Sequence, residues 1–412
     1  MWNGMGQPTT MQDMTVVDLF CGAGGLSLGF VKARFTILRA FDNSQAAVDT
    51  YNGNIRHCAI LTDVSGLESE LPEATLVIGG PPCQGFSSAG LRRPNDKRNS
   101  LVRCFGQIVA KARPKAFVFE NVEGFLTAEG GARLLELLGP LLEAGYRVHL
   151  RKVNAANYGV PQHRKRVIGI GGLGSDPTFP EPTHTAFGAP GALLASRHLP
   201  LAPTVEEALA GLPTASTEPP GKPQGHFCTA LGGVDLERAK HLKPGQTMRD
   251  LPRALQHGSY LRRACRRVMD GTPTERRGGA PAGLRRLRPD QPSKAVTTGA
   301  TSEFLHPYEH RTLTYREAAR IQTFPDNFVF FGTQSDHAQL IGDAVPPVLA
   351  QIIASQLARD LHEPTPAFKD GALLSFVPTL SNGCSPALKH VIGLVEKTFA
   401  SRLERKEMLL WP

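Results

Sequence analysis

TVVDLFCGAGG, residues 15–25, reads as a buried strand that runs straight into a glycine-rich turn. Gly22, Gly24 and Gly25 let the backbone turn tightly and approach a ligand at the strand's carboxyl end, which in an open α/β sheet is where cofactors bind. Twenty residues beyond Gly22, Asp42 closes a second apolar run, FTILRAFD (35–42), where a carboxylate can accept from both hydroxyls of a ribose. A nucleoside cofactor follows, but not which one, because G-x-G-G-L-S lacks the third glycine of the dinucleotide fingerprint. Asp63, after a further short apolar stretch, is placed either to meet an adenine amino group or simply to cap a turn.

Outward from this stretch, TLVIGG (75–80), AFVFE (116–120) and RVIGIGG (166–172) are further short buried runs. Helix-compatible segments lie at 25–34, 44–51, 100–112 and 132–144, the last interrupted by Pro140. Strand then helix, repeated, predicts a parallel α/β sheet. From 171 to 292 the texture changes: 16 of the 33 prolines fall there, and apolar periodicity fades. Helical periodicity returns at 314–323 and 346–359, where Pro346 and Pro347 suit a helix start. The tail ends in a basic, amphipathic stretch with no role legible in it.

The 412 residues suffice for two or three structural units. With 41% hydrophobic and 20% charged residues and a mean hydropathy of -0.19, disordered and membrane classes are excluded. No window holds eighteen uncharged apolar residues, so no bilayer span is expected. The first residues show neither a basic n-region nor an apolar h-region, so the expected compartment is the cytoplasm. Seven scattered cysteines without a C-x-x-C pair suggest neither a disulfide framework nor a metal site. The net charge is 46 − 37 = +9, and residues 261–290 hold nine arginines against three acids. That concentration reads as an electrostatic footprint for a polyanion, or more blandly as a solvated basic loop.

GGPPCQGFS (79–87) holds Cys83 in a proline-stiffened loop just past a strand's carboxyl end. A free thiol, with a pKa of about 8.5, is mostly protonated near neutrality unless positive charge is close. Arg92, Arg93, Lys97 and Arg98 follow within the same stretch. In AFVFENVEGF (116–125), Glu120 ends a strand, and partial desolvation should raise its pKa until it can donate a proton near neutrality. Asn121 is its polar neighbour. In NYGVPQHRKRVIGI (157–170), Gln162, Arg164 and Arg166 alternate, so their side chains are expected on one face, suited to phosphate or a planar heterocycle.

DLFCGAGG (18–25), GGPPCQ (79–84), ENV (120–122), Q-x-R-x-R (162–166) and IGDAVPP (341–347) occur in the order and approximate spacing of the DNA cytosine carbon-5 methyltransferases, which the chain strongly resembles from about residue 15 to 360. D-x-R-x-x-L (96–101) and RTLTYREAARIQTFPDNF (311–328) are weaker members of the pattern. The resemblance implies a Rossmann-like domain dependent on S-adenosyl-L-methionine, with a smaller, irregular target-recognition domain. Its boundaries would be 13–174 for the first part of the catalytic domain, 175–305 for target recognition, 306–335 for a hinge and return, 336–365 for completion of the catalytic domain and 366–412 for an extension.

It further implies a covalent mechanism in which Cys83 attacks carbon 6 of a cytosine flipped out of the helix. Glu120 would hold the N3 proton and the amino group, and Arg166, with Arg164, would complete the catalytic set. The cofactor would rest on Phe20, Gly22, Ala23, Gly24, Gly25, Asp42, Asn43, Asp63, Val64, Pro82, Leu101, Asp343 and Ala344. Gln84, Ser87, Asn121, Gln162 and Thr297 would face DNA, while the arginines at 262, 263, 266, 267, 276, 277, 285, 286 and 288 would grip phosphate and guanine. Asp343 departs from the usual Asn of the last motif. Implied partners are double-stranded DNA and a restriction endonuclease, for a monomer without a metal, in the cytoplasm and associated with the nucleoid through DNA. The alternative is a tRNA cytosine-5 methyltransferase on the same scaffold, disfavoured by the long insert.

Overall fold

The structure is a computed structural model that describes residues 14–67, 71–82, 101–185, 198–257, 283–364, 372–377 and 386–403. In chain order its strands are β1 (Thr15–Leu19), β2 (Thr36–Asp42), β3 (Ala59–Leu61), β4 (Leu76–Gly79), β5 (Ala116–Val122), β6 (Tyr146–Asn154), β7 (Gln162–His163), β8 (Lys165–Leu173), β9 (Arg285–Arg286), β10 (Ser293–Lys294), β11 (Phe304–Leu305) and β12 (Leu373–Val377). Eight of them form one sheet in the order β12-β6-β8-β5-β4-β1-β2-β3. The helices are α1 (Gly25–Lys32), α2 (Gln45–Asn54), α3 (Leu101–Ala112), α4 (Ala132–Glu143), α5 (Val205–Leu209), α6 (Gly233–His241), α7 (Ala300–Glu303), α8 (Tyr315–Ile321), α9 (Gln334–Asp343), α10 (Pro347–His362) and α11 (Pro386–Phe399).

The strand alternation divides the core as period 2 dictates. Val17, Leu19, Val77, Phe117 and Phe119 point to one face, under α3, α4 and α11. Val16, Leu76, Ile78, Ala116 and Val118 point to the other, under α1 and α10. Pro140 does not interrupt α4 as expected; it falls in the last turns of a continuous helix. The expected all-parallel sheet is also corrected, since β8 runs antiparallel to both β5 and β6. The connection Ala155–Arg164 is too short for the helical crossover that a parallel return needs. Strand β1 lies between β4 and β2, so the strand order reverses there and the carboxyl ends of β1 and β4 open one crevice.

The insert is more regular than its proline content suggests. Thr204 and Glu207 form a reciprocal capping box on α5, and Ala239, Leu242, Met248, Leu251, Leu284 and Leu305 make a small core of their own. Strand β10 pairs with β7 and joins the insert to the sheet domain. Among the described residues one stretch, 334–362, is long and apolar enough to cross a membrane, but it breaks between α9 and α10 and most of its apolar window is buried in the protein. The tail, silent in sequence, adds β12 in parallel beside β6 and lays α11 against α4 and its preceding turn.

Candidate active site

The glycine loop is held by its own backbone geometry. Phe20 (φ 62), Gly22 (φ 52) and Gly24 (φ 86) are left-handed, and Gly24 caps α1. A Cβ at Gly25 would lie 2.2 Å from the Val345 carbonyl oxygen, so only glycine lets the last motif close on the first. Asp42 is fixed by two amides: Gly22 N–H donates to its Oδ2 and Ser44 N–H to its Oδ1, each at 2.9 Å. Burial nevertheless raises its pKa. Each oxygen keeps a lone pair, and a Cβ at Gly22 would meet nothing within 4 Å among the described residues.

Other expected cofactor positions are placed differently from one another. Asn43 is exposed, while Phe20, Pro82 and Leu101 are half-buried. Ala23 and Ala344 are buried near the loop in one apolar cluster. Asp63 is exposed and acts as a cap, accepting from Ser65 N–H at 2.9 Å and from its hydroxyl at 2.8 Å, bonds that lower its pKa. Val64 turns its side chain into the core.

Glu120 is buried at the end of β5, with its Oε1 2.8 Å from Arg166 Nε. Burial raises its pKa and outweighs the opposing charges of Arg166 and Arg164, while Asp343 adds a smaller push upward. The expected direction is therefore found. Next to it, Asn121 Nδ2 donates to the Pro81 carbonyl at 3.2 Å, and a Cβ at Gly80 would stand 3.0 Å from Glu120 Oε2. The chain thus passes close beside Glu120, tied to its neighbour Asn121, on its way to Cys83. Cys83, Gln84 and Ser87 themselves lie outside the described residues.

The expectation that Gln162, Arg164 and Arg166 all present their side chains to phosphate or a heterocycle is corrected for the first two. Arg164 falls at the break between β7 and β8 and is fully buried, donating to the Val296 carbonyl at 2.7 Å and the Gly342 carbonyl at 2.9 Å. Gln162 is equally buried: its amide donates to the Ile321 carbonyl at 3.0 Å and to Gln322 Oε1 at 2.8 Å, and accepts from Val296 N–H at 3.0 Å. Arg164 ties the insert and the last motif to the sheet, Gln162 ties the insert and the end of α8 to it, and of the three only Arg166 bonds the carboxyl. Thr297 and Asp343 are exposed beside this junction.

The basic footprint needs a similar correction. Arg286 is buried and donates to the carbonyls of Leu242, Ala239, His306 and Glu309. Arg285 pairs with Glu303 at 3.3 Å and Arg288 with Asp290 at 2.8 Å. The other six arginines of the cluster lie outside the described residues.

One feature of the loop was missed in the sequence. Asp18, 1% exposed, accepts from the Ser27 hydroxyl at 2.6 Å, and that hydroxyl accepts from Tyr51 at 2.7 Å. Its only signal is a charged residue inside the apolar run VVDLF.

Fold and site together define a Rossmann-like methyltransferase domain carrying a smaller inserted unit. Residues 14–359 match the C-5 cytosine-specific DNA methylases, and the chain belongs to that family. It is 34% identical over 358 residues to the Type II methyltransferase M1.HphI of Haemophilus parahaemolyticus, across 84% of this chain and 87% of that one. To M.AgeI of Thalassovita gelatinovora it is 32% identical over 428 residues, across 84% and 99% of the two chains. Among solved structures, a prophage-encoded E. coli protein described as a DNA modification methyltransferase aligns with TM-score 0.60 and 25% identity, over 85% of this chain and 99% of that one. The S. pombe Dnmt2 methyltransferase shares the fold, with TM-score 0.55 and 16% identity over 85% and 99%. The protein is a DNA cytosine-5 methyltransferase.

Proposed function

We propose that the enzyme is the modification half of a restriction–modification system, acting as a monomer on duplex DNA in the cytoplasm, with Cys83 as nucleophile and S-adenosyl-L-methionine as methyl donor. The Type II designation of its relatives supports the biological role. The observation that carries the chemistry is Glu120: a buried carboxyl of raised pKa, paired with Arg166, whose neighbour Asn121 bonds the Pro81 carbonyl two residues before Cys83.

The crevice suits the cofactor, because among the described residues nothing crowds Gly22 and Asp42 keeps acceptor capacity on both oxygens. Phe20, the Gly22–Gly25 loop, Asp42, Asn43, Asp63, the Val64 backbone, Pro82, Leu101, Asp343 and Ala344 would hold it. When bound, it supplies an electrophilic methyl group for carbon 5. The protein's own part begins with extrusion of the base, which a stacked helix requires at about a few kcal/mol. The Cys83 thiolate adds to carbon 6, while protonated Glu120 donates to N3 and takes up the amino group. Arg166 holds Glu120 in place and stabilises charge on O2. Water takes the carbon-5 proton, the Cys83 thiolate leaves carbon 6, and the N3 proton returns to Glu120, which restores both the ring and the enzyme.

The test is bisulfite sequencing of a plasmid carrying the gene, grown in a host without cytosine methylation, beside the same plasmid with Cys83→Ser. Protected cytosines within one short motif, lost in the variant, are expected. A soluble protein that binds S-adenosylmethionine but protects no cytosine would refute the proposal and favour an RNA substrate.

A further inference from the structure

The C-terminal segment lies beyond the family match, which ends at residue 359, yet it is built into the catalytic sheet. Strand β12 pairs with β6 from Leu373 opposite Arg147 to Val377 opposite Arg151. Arg151 donates to the Ser375 carbonyl at 3.0 Å and to its hydroxyl at 2.9 Å. Helix α11 then buries Leu388, Val391 and Val395 in the same core as Phe119 and Phe125, and Leu403 bridges back to Leu374.

Both contacts fall on elements that lead to the catalytic pair. Arg166, on β8, stands opposite Val122 of β5 on one side and Val153 of β6 on the other. Strand β6 is the strand that β12 covers. Directly after Glu120–Val122 the chain makes the turn Glu123–Gly131, whose Glu123 pairs with Lys152 of β6. The turn ends at Gly131, where an added methyl would stand 3.0 Å from Val391 Cγ2 and 3.3 Å from Leu394 Cδ2. The extension therefore packs on the one element that continues the Glu120 strand and on the strand that flanks Arg166.

We infer that residues 372–403 are a built-in brace for catalysis, with Val391 a positioning residue that keeps the Glu120 strand and its continuing turn seated against Arg166. The inference rests on the reading of Glu120 as the proton donor. Small displacements are enough to matter, since a misplacement of about 1 Å can lower a rate about 100-fold.

The experiment uses the full chain with Val391→Ala, Val391→Ile, Gly393→Ala and Glu120→Gln, each assayed for kcat, KM for DNA and for S-adenosylmethionine, and the pH profile of kcat. Val391→Ala is expected to lower kcat by about tenfold with both KM values within about twofold, a loss confined to transition-state positioning. Its alkaline limb should move to higher pH, because Glu120 unseated from Arg166 loses the opposing charge that holds its pKa down. Val391→Ile should restore both readouts. Gly393→Ala should match the wild type, since a methyl there meets nothing within 4 Å.

A Val391→Ala protein that melts earlier but keeps wild-type kcat and pH profile would overturn the brace. If Glu120→Gln keeps wild-type kcat, the reading of Glu120 falls instead. If Val391→Ala does not fold, Ser375→Ala, which removes only the hydroxyl bonded to Arg151, takes its place with the same expected split at smaller size; unchanged kcat there overturns the inference.

Discussion

Asp18→Asn isolates the buried carboxyl beneath the glycine loop. Burial, with a smaller contribution from Asp42, pushes the Asp18 pKa from 3.8 up to about 7 although the Ser27 hydroxyl donates to it. Because the folded value lies above the unfolded one, the stability this group contributes is whole below about pH 4 and is lost as pH rises towards 7. At 1.36 kcal/mol for each pH unit of difference, the whole effect is about 4 kcal/mol, of which about 2.5 kcal/mol falls between pH 5 and pH 8. Asn keeps the planar shape and an acceptor for Ser27, carries donors where the neutral acid has one, and does not titrate. Urea unfolding of both proteins at pH 5 and pH 8 should therefore show the variant gaining about 2.5 kcal/mol relative to wild type at the higher pH. Two stability curves that stay parallel across that interval would mean that Asp18 titrates in the ordinary carboxylate range and that the loop floor is wet.

Arg164→Ala orphans the Val296 and Gly342 carbonyls, at about 1–3 kcal/mol each, so it should lower Tm and weaken cofactor binding through the last motif. A loss of DNA affinity at unchanged Tm would instead make Arg164 a DNA contact. Arg286→Ala should destabilise the insert while leaving the salt dependence of DNA binding unchanged; a slope reduced by about one would reveal a phosphate contact. Asp343→Asn should change the Kd for S-adenosylmethionine with little effect on DNA binding, and equal cofactor Kd values by calorimetry would refute that role.

What the sequence revealed and what it hid divide along one physical line. A strand that ends in a glycine turn, a carboxyl that closes an apolar run and a proline-stiffened cysteine are local patterns, so β1, β2, β4, β5 and the rise in the Glu120 pKa could be read from neighbouring residues alone. Alternation is local too, but it holds only while the strand is unbroken. Gln162 and Arg164 give their donors to Ile321, Gln322, Val296 and Gly342, groups some 130 to 180 residues further along the chain. Arginine makes such failures hard to foresee, because its five donors serve a phosphate, a carboxylate or a set of backbone carbonyls equally well. Which of these it meets depends on long-range packing, and Arg286, surrounded by carbonyls from 239 to 309, met the last. The same holds for β12: nothing in LLSFV specifies that it should pair with a strand more than 200 residues earlier, yet the unpaired edge of β6 and the apolar ground below Gly131 both require a cover. Charge counted along a sequence is therefore an upper bound on charge offered to DNA, and an arginine joins the binding face only once its internal acceptors have been excluded.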